Sequence, residues 1–421
     1  MDARLAVSLR WAGVWRATAL GLLALAGAAQ AEDAPPQISL PPVGLRAQDL
    51  AVVINEADPA SVETGEYYAS RRGIAPERVI RVSFPPGRAV MALEDFEHVQ
   101  QVLRDTVPPQ VQAYALAWTL PYRVDCMSVT SAFAFGHDRA YCATGCQVTK
   151  SSPYFDSASN APHQDHGLRP AMLLAGNGVA DVKALIDRGL RSDNQWPAGT
   201  GYLLNTTDKR RNVRAETYNQ ARRKLIGGYR VERVDADALE DKNDVMFLFT
   251  GVQHVKGLRS NRYLDGAVAD HLTSLGGMLT DSPQTSALEW LTAGATGSYG
   301  NTVEPCNYLA KFPDVAVVMG RYLGGETLIE AYWKSVRMPG QGVFIGDPLA
   351  RPFGGVRFAR KGRQQLVQTH LMRPGRYLLQ AAGTSIGPFR TVGQLQVLGY
   401  GAYDLGLPGD PRVFYRVIAQ P

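Results

Sequence analysis

The sequence predicts an α/β fold in which a mostly parallel sheet is flanked by helices and followed by a small C-terminal β domain. Short apolar runs alternate with helical patterns from Leu50 to Ile345, and this alternation requires crossover connections between parallel strands. Hydrophobic residues make up 45% of the chain and charged residues 20%, a balance that is typical of globular proteins and argues against extended disorder. After Phe353 the pattern changes to alternating strands with Gly/Pro turns.

The first 31 residues have the composition of a secretory signal peptide. Three arginines form a basic region, residues 17–28 are apolar, and residues 29–31 (Ala-Gln-Ala) match the small-x-small pattern of a cleavage site. The apolar run is shorter than the roughly 20 residues that a membrane-spanning helix needs. We therefore expect a cleaved signal peptide at residues 1–31, no stable membrane span after cleavage, and an exported product that is periplasmic or extracellular.

A Pro-rich leader (residues 32–47) and an N-terminal α/β subdomain (residues 48–122) are expected next. The predicted elements are a strand at 50–55, a helix at 61–72, a strand at 78–84, a helix at 93–107 and a strand at 113–120. Gly73 and Pro108 follow the two helical patterns, where these residue types commonly end a helix.

Residues 123–169 lack a regular period and are expected to form an insertion. It contains three of the four cysteines and three of the seven histidines of the chain, namely Cys126, His137, Cys142, Cys146, His163 and His166. An even number of cysteines in an exported protein favours disulfides, and four cysteines permit three pairings among which the sequence does not choose. Thiolates and imidazoles are also zinc ligands, but the irregular spacing and the expected export favour disulfides. We therefore expect no metal site.

The α/β pattern resumes in a second subdomain (residues 170–353), and a β-sandwich-like tail (residues 354–421) follows. Predicted strands lie at 171–174, 201–205, 229–234 and 342–345, with three more in the runs DVMFLFT, GGML and AGATGSYG. Predicted helices lie at 179–188, 215–226, 265–275, 286–293, 314–322 and 327–336.

Two features of the second subdomain argue against nucleotide ligands. The turn at residues 176–178 (Gly-Asn-Gly) resembles a dinucleotide-binding turn, but Asp181 stands where the third glycine is needed and its carboxylate would face a pyrophosphate. Basic clusters at 209–211 and 222–224 occur without a nucleic-acid motif, and the formal net charge of +5 is small. We expect no cofactor and no nucleic-acid partner.

The candidate site lies between Asp244 and Asn307, where three predicted strands each end in small or reactive residues. The candidate catalytic residues are His254 after the first strand, Asp281 and Ser282 after the second, and Cys306 after the third, with Gln253, Glu304 and Asn307 as candidate binding residues. An imidazole with a pKa near neutrality is a suitable general base, and a serine or cysteine is a suitable nucleophile. Alternatively, Asp281 and Ser282 cap a helix that begins near Pro283.

The region after the signal peptide resembles an uncharacterised family of exported bacterial proteins found in species that carry exosortase, the membrane enzyme of a protein-sorting system. The segments that carry this resemblance are VINEAD (53–58), GEYYA (65–69) with RGI (72–74), GATGSYG (294–300), VEPCN (303–307) and GGETLIEAYW (324–333).

Residues 244–348 are similar to gingipain-type cysteine peptidases, which have a caspase-like fold. The matching segments, in order, are Phe249-Thr250-Gly251 with His254, Gly277 to Ser282, Ala293-Gly294-Ala295, and Gly346-Asp347-Pro348. The catalytic residues of that family are not matched, because Val255 follows His254 in place of glycine, and Asp281 and Ser282 stand where the second strand should end in cysteine.

The resemblance implies a caspase-like scaffold with a broken Cys-His dyad. We therefore expect a binding or accessory protein of the cell envelope, linked to exosortase-type sorting, whose partner is a protein or peptide. The alternatives are a hydrolase that uses His254 with Ser282 or Cys306, and a purely structural protein.

Overall fold

The structure is a computed structural model that describes residues 37–225, 229–361, 364–407 and 413–420. The predicted signal peptide therefore lies outside the described residues. The strands are β1 (Gln37–Ser39), β2 (Leu50–Asn55), β3 (Val79–Val82), β4 (Val90–Met91), β5 (Ala113–Leu116), β6 (Arg123–Val124), β7 (Met127–Ser128), β8 (Ala171–Leu173), β9 (Thr200–Asn205), β10 (Arg230–Asp235), β11 (Val245–Thr250), β12 (Tyr263–His271), β13 (Gly297–Asn301), β14 (Gly342–Gly346), β15 (Val356–Lys361), β16 (Gln364–Thr369), β17 (Gly375–Ala382), β18 (Arg390–Val397), β19 (Tyr403–Leu407) and β20 (Phe414–Ala419).

The α-helices are α1 (Pro59–Arg72), α2 (Leu93–Thr106), α3 (Val129–Phe135), α4 (Pro162–His166), α5 (Val179–Ser192), α6 (Tyr218–Lys224), α7 (Ala287–Ala293), α8 (Val315–Leu323) and α9 (Leu328–Ser335). Within the described residues, none of them is long and apolar enough to cross a membrane.

The predicted fold class is confirmed. A central sheet of ten strands has the order β10-β9-β11-β12-β13-β14-β8-β5-β2-β3, and small, mainly antiparallel sheets lie at the C-terminal end of the chain. All pairs in the central sheet are parallel except β13 with β14. Alternate residues of β2 belong to different apolar clusters, Val52 to one and Val53 to the other, so both faces of the sheet are covered.

The central sheet consists of two halves with the same strand order. In the first half β2 lies between β3 and β5, with β8 beyond β5, and in the second half β9 lies between β10 and β11, with β12 beyond β11. Both halves therefore have a switch point where successive crossovers leave the first strand in opposite directions, and ligands often bind outside the carboxyl ends of strands at such points.

The two halves run in opposite directions. Strand β12 is parallel to β13, β13 is antiparallel to β14, and β14 is parallel to β8. The carboxyl ends of the first-half strands therefore lie at one edge of the sheet, and those of the second-half strands lie at the opposite edge. The fold provides two separate places for a strand-end site.

The local sequence explains helix α1. Asp58 caps it by accepting a hydrogen bond from the Ala60 amide at 3.0 Å, Pro59 occupies the first helical position, and Gly73 ends the helix with φ of 65°. These are the residue types that begin and end helices, because they satisfy or remove free backbone groups. The predicted helix at 61–72 is confirmed and extended to Pro59.

Two predicted elements in the candidate-site region are wrong. Residues 265–275 were expected to be helical, but Tyr263–His271 is strand β12, which pairs with β11 on one side and β13 on the other. The GGML run was expected to be a strand, but it is irregular because Gly277 packs against the end of β13, donating its amide to Asn301 at 2.8 Å. A Cβ on Gly277 would lie 2.4 Å from the Gly300 carbonyl oxygen.

Other predicted elements differ less. The expected helix at 215–226 is a 3-10 turn (Asn212–Thr217) followed by α6, and the late helices at 314–322 and 327–336 are α8 and α9. The insertion, expected to lack a period, contains the β6–β7 hairpin and the short helices α3 and α4. The strands after Phe353 surround their own apolar cluster, as the sequence pattern indicates.

Candidate functional site

His254 lies four residues beyond the end of β11 and is exposed. Within the described part of the chain its ring makes no hydrogen bond. Gln253 is also exposed, and its carbonyl oxygen accepts a hydrogen bond from the Thr285 amide at 3.1 Å, while Thr285 Oγ1 accepts from the Val255 amide at 2.9 Å. These two bonds hold the loop of His254 beside the segment that contains Ser282.

The side chains of Asp281 and Ser282 are held by other partners. The Tyr122 hydroxyl donates to Asp281 Oδ1 at 2.8 Å. Ser282 Oγ donates to the Leu275 carbonyl at 2.8 Å and accepts from the Gln284 amide at 3.1 Å, so the hydroxyl closes a turn. The His254 loop is therefore bonded to Thr285, and within the described residues no hydrogen bond joins the side chains of His254 and Ser282.

The alternative capping role of Asp281 and Ser282 is wrong. Helix α7 begins at Ala287, and its cap is Ser286, whose Oγ accepts from the Leu288 amide at 3.1 Å. Pro283 lies outside the helix, so the two residues before it are not at a capping position.

The four cysteines form two disulfides. Cys126 pairs with Cys142 and Cys146 pairs with Cys306, with Cα–Cα distances of 5.3 and 5.2 Å. Such distances suit a disulfide. The described residues contain no free cysteine, so Cys306 has no thiol to act as a nucleophile while this bond is intact.

The remaining candidate binding residues lie around Cys306. Glu304 Oε1 accepts a hydrogen bond from the Cys306 amide at 2.8 Å, and Asn307 is exposed. The Glu304 carboxylate therefore fixes the turn that carries the disulfide. No hydrogen bond among the described residues joins His254 to this segment.

A buried group at the end of β12 was not predicted. The Asp270 carboxylate lies 2.7 Å from Arg214 Nη1, and Trp290 Nε1 donates to His271 Nδ1 at 3.0 Å. Asp270 and His271 are both 1% exposed. Burial, reinforced by the nearby Arg214 charge, lowers the pKa of His271 to about 3, so the imidazole is neutral at ordinary pH.

His271 is expected to make folding sensitive to mild acid. Its pKa is lowered in the folded state, so between pH 6.5 and about 3 the unfolded chain binds a proton that the folded protein does not. The free energy of unfolding should therefore decrease as the pH is lowered through this window, and His271 contributes a slope of up to about 1.4 kcal/mol per pH unit. Urea unfolding at pH 6.5 and pH 5 measures the slope.

His271→Gln serves as the test variant for this pH dependence. Burial also lowers the pKa of His370, to about 4, so part of the acid sensitivity should persist in the variant. Equal slopes in the natural protein and in His271→Gln would contradict the role given to His271.

A cavity of about 440 Å³ lies at the opposite edge of the sheet, at the switch point of the first half, and is called the first-half pocket below. It is bounded by the segments that follow β2, β3, β5 and β8, and by Thr280 from the segment between β12 and α7. Its apolar wall includes Trp118, Leu120, Leu174 and Val182, and its polar lining includes Asp58, Ser61, Thr64, Thr119, Asn177 and Thr280. The volume is within the usual range for small-ligand sites.

The hydroxyl groups of the first-half pocket differ in their hydrogen bonding. Thr119 Oγ1 donates to the Gly176 carbonyl at 2.9 Å and accepts from the Gly176 amide at 3.0 Å, and Ser61 Oγ accepts from the Asn55 amide at 2.9 Å. Thr64 is 3% exposed, and its hydroxyl has no hydrogen-bond partner among the described residues. The Thr64 hydroxyl is accessible from the pocket, so it is available to a ligand there.

The charge of the first-half pocket is negative. Asp58 is its one charged lining residue, and Asp181 lies in the first turn of α5, whose N-terminal end adjoins the pocket. Helix N-termini favour anions, but these two carboxylates oppose that preference. The pocket is therefore suited to an uncharged or cationic group.

Comparisons with known proteins do not assign a family. No family model matches the chain, and no curated protein matches it. A solved structure titled "Structure of Protease" is similar over 89% of this chain and 97% of that chain, with 10% sequence identity and a TM-score of 0.40. This likeness is too weak to support a fold family or an activity. The resemblances to the exosortase-associated family and to gingipain-type peptidases stay predictions.

Proposed function

We propose that this protein is an exported binding protein that lacks nucleophilic catalysis and that it holds an uncharged or cationic group in the first-half pocket. A side chain of a peptide or of a protein segment is the expected occupant. The two disulfides are compatible with an oxidising compartment outside the cytoplasm. An envelope location and a link to exosortase-type sorting are parts of this proposal that rest on the sequence resemblance.

The observation that carries the proposal is the Thr64 hydroxyl, which has no hydrogen-bond partner among the described residues and lines a cavity at a switch point. An apolar wall that includes Trp118 and Leu174 offers contact to a hydrocarbon side chain, while Asp58 attracts a positive charge. An acidic group would be repelled by Asp58, and the lining contains no basic residue, among those that the structure describes, to offset that repulsion. Affinity should therefore rank apolar and basic side chains above acidic ones.

The same proposal accounts for the candidate catalytic residues. Cys306 is in a disulfide, and the Ser282 hydroxyl is bonded to backbone groups. Within the described part of the chain, His254 therefore makes no hydrogen bond to a nucleophile. A serine requires an adjacent base to become reactive. Binding without covalent chemistry is the function that these contacts favour.

Saturation-transfer NMR with N-acetyl amino-acid amides tests the proposal. Gly178 lines the first-half pocket at an extended φ of −174°, and a Cβ there would meet nothing within 4 Å, so Gly178→Phe should fill the pocket without backbone strain. We expect the leucine and lysine amides to bind and the glutamate amide not to bind, and Gly178→Phe to weaken binding at least about tenfold, or about 1.4 kcal/mol.

The matched control is Gly383→Phe, at a position in the C-terminal part of the chain where a Cβ is also free of contacts. It should bind as the natural protein does. Equal binding by all three amides, or unchanged binding by Gly178→Phe, would contradict the proposed pocket.

A further inference from the structure

Four side chains of different types meet in the insertion. One ligand atom from each of Asp125, Cys126, His137 and Cys142 lies within 4.8 Å of all the others. His137 Nε2 is 3.3 Å from Asp125 Oδ2, and Cys126 Sγ is 3.4 Å from the same oxygen. The imidazole nitrogen and one sulfur therefore already lie close to the same carboxylate oxygen.

We propose that these four residues bind one Zn²⁺ ion when the Cys126–Cys142 disulfide is reduced. Zinc prefers four tetrahedral ligands, and thiolate, imidazole and carboxylate are its usual protein ligands. With Zn–S bonds of about 2.3 Å and Zn–N or Zn–O bonds of about 2.0 Å, tetrahedral ligand atoms are roughly 3.3 to 3.8 Å apart. The His137–Asp125 and Cys126–Asp125 separations already lie in this range, whereas the two sulfurs must move apart from their bonded distance to about 3.8 Å after the disulfide is reduced. The irregular sequence spacing argued against a metal site, but the folded geometry favours one.

A dithiol reductant supplies the electrons and protons that are needed to reduce the Cys126–Cys142 disulfide. The dithiol gives two electrons and two protons to the Cys126–Cys142 bond, which becomes two thiols, while the dithiol becomes a disulfide. Zn²⁺ then displaces the two thiol protons to bind both thiolates, and neutral His137 coordinates through Nε2. Two thiolates and one carboxylate offset the charge of the ion.

The positions of the ligands depend on contacts other than the disulfide. Asp125 and Cys126 form the turn of the β6–β7 hairpin, in which Val124 pairs with Met127. The ring of Tyr141, next to Cys142, stacks on Phe135 at 4.0 Å between centroids. These contacts should hold the cluster together after the sulfur–sulfur bond is opened.

The second disulfide provides an internal control. Within the described residues, no group of three or more metal-ligating side chains of comparable closeness includes Cys146 or Cys306. After full reduction, the two cysteine pairs should therefore differ in their response to metal, although both lie in the same chain.

Cobalt and zinc titrations test the site. The variant Cys146→Ser/Cys306→Ser is reduced with dithiothreitol, desalted without oxygen and titrated with Co²⁺. We expect one equivalent to give thiolate-to-cobalt absorption and tetrahedral ligand-field bands, and one equivalent of Zn²⁺ to abolish them. His137→Ala and Asp125→Asn in this background should each weaken Co²⁺ binding at least about tenfold. Circular dichroism of each variant before reduction checks its folding.

Alkylation mapping of the natural sequence tests the site without substitutions. In the fully reduced protein, Zn²⁺ should protect Cys126 and Cys142 from iodoacetamide and leave Cys146 and Cys306 reactive. Protection of neither pair, equal protection of both pairs, or full Co²⁺ affinity in His137→Ala would overturn the proposal.

Discussion

Glu326→Gln is expected to destabilise the protein by about 3 to 5 kcal/mol, because it leaves buried cations without their shared anion. The carboxylate is fully buried and lies 2.8 Å from Lys334 Nζ, 3.2 Å from Arg321 Nη1 and 2.6 Å from Arg373 Nη2. Burial alone would raise the pKa of Glu326, but Lys334, Arg373 and Arg321 outweigh it and the pKa is lowered. The carboxylate is therefore charged in the folded protein.

Glutamine has nearly the shape of glutamate, so this substitution separates charge from packing. Asp265→Asn provides the matched control, because Asp265 pairs with Arg191 at 2.9 Å on the exposed surface and should cost less than about 1 kcal/mol. Urea unfolding of both variants gives the two free energies. A cost for Glu326→Gln as small as that of Asp265→Asn would show that the buried network does not act as described.

Asp347→Asn is expected to cost a similar amount, about 3 to 5 kcal/mol. Asp347 is fully buried beyond the end of β14, where Oδ1 accepts a hydrogen bond from the Tyr68 hydroxyl at 2.9 Å and Oδ2 pairs with Arg72. Burial opposes the Arg72 charge, but Asp347, with further help from Tyr68 and Asp193, raises the Arg72 pKa above its ordinary value. Removing the Asp347 charge leaves a buried guanidinium with Asp193 as its remaining carboxylate partner.

A double-mutant cycle measures whether the Arg72–Asp347 pair is responsible. Arg72→Met combined with Asp347→Asn should cost less than the sum of the two single changes, by about 0.5 to 3 kcal/mol, because Arg72→Met alone leaves the buried Asp347 charge without its cation and the double change does not. Urea unfolding of the three variants supplies the cycle. Strict additivity would mean that each residue stabilises the fold through other contacts.

Local sequence predicts the elements whose burial and capping are self-contained. The LAVVIN run is strand β2, and Asp58 and Gly73 bound helix α1 as their residue types suggest. In β12, by contrast, Asp265 and Asp270 interrupt the apolar run. Asp270 is tolerated there because Arg214, from a distant segment, pairs with its charge. The strand conformation of β12 therefore depends on tertiary contacts that a local pattern does not contain.

The site was harder to predict than the fold. The opposite directions of the two halves follow from the single antiparallel pair β13–β14, and no local pattern indicates that the first-half strands and the strand before His254 end at opposite edges of the sheet. Thr64 is an ordinary threonine in a helical pattern, and its value as a site residue comes from its place in the pocket lining without a hydrogen-bond partner among the described residues. Likewise, the pairing of Cys146 with Cys306 joins residues 160 positions apart.

Covalent labelling with a fluorophosphonate and a thiol-directed probe tests the central claim most directly. The natural protein and His254→Ala are compared under non-reducing conditions, with heat-denatured samples as a background control. Because Ser282 is bonded to backbone groups and Cys306 is in a disulfide, we expect no labelling above background in either protein. Labelling of the natural protein that is lost in His254→Ala would contradict the account and identify a working nucleophile beside His254.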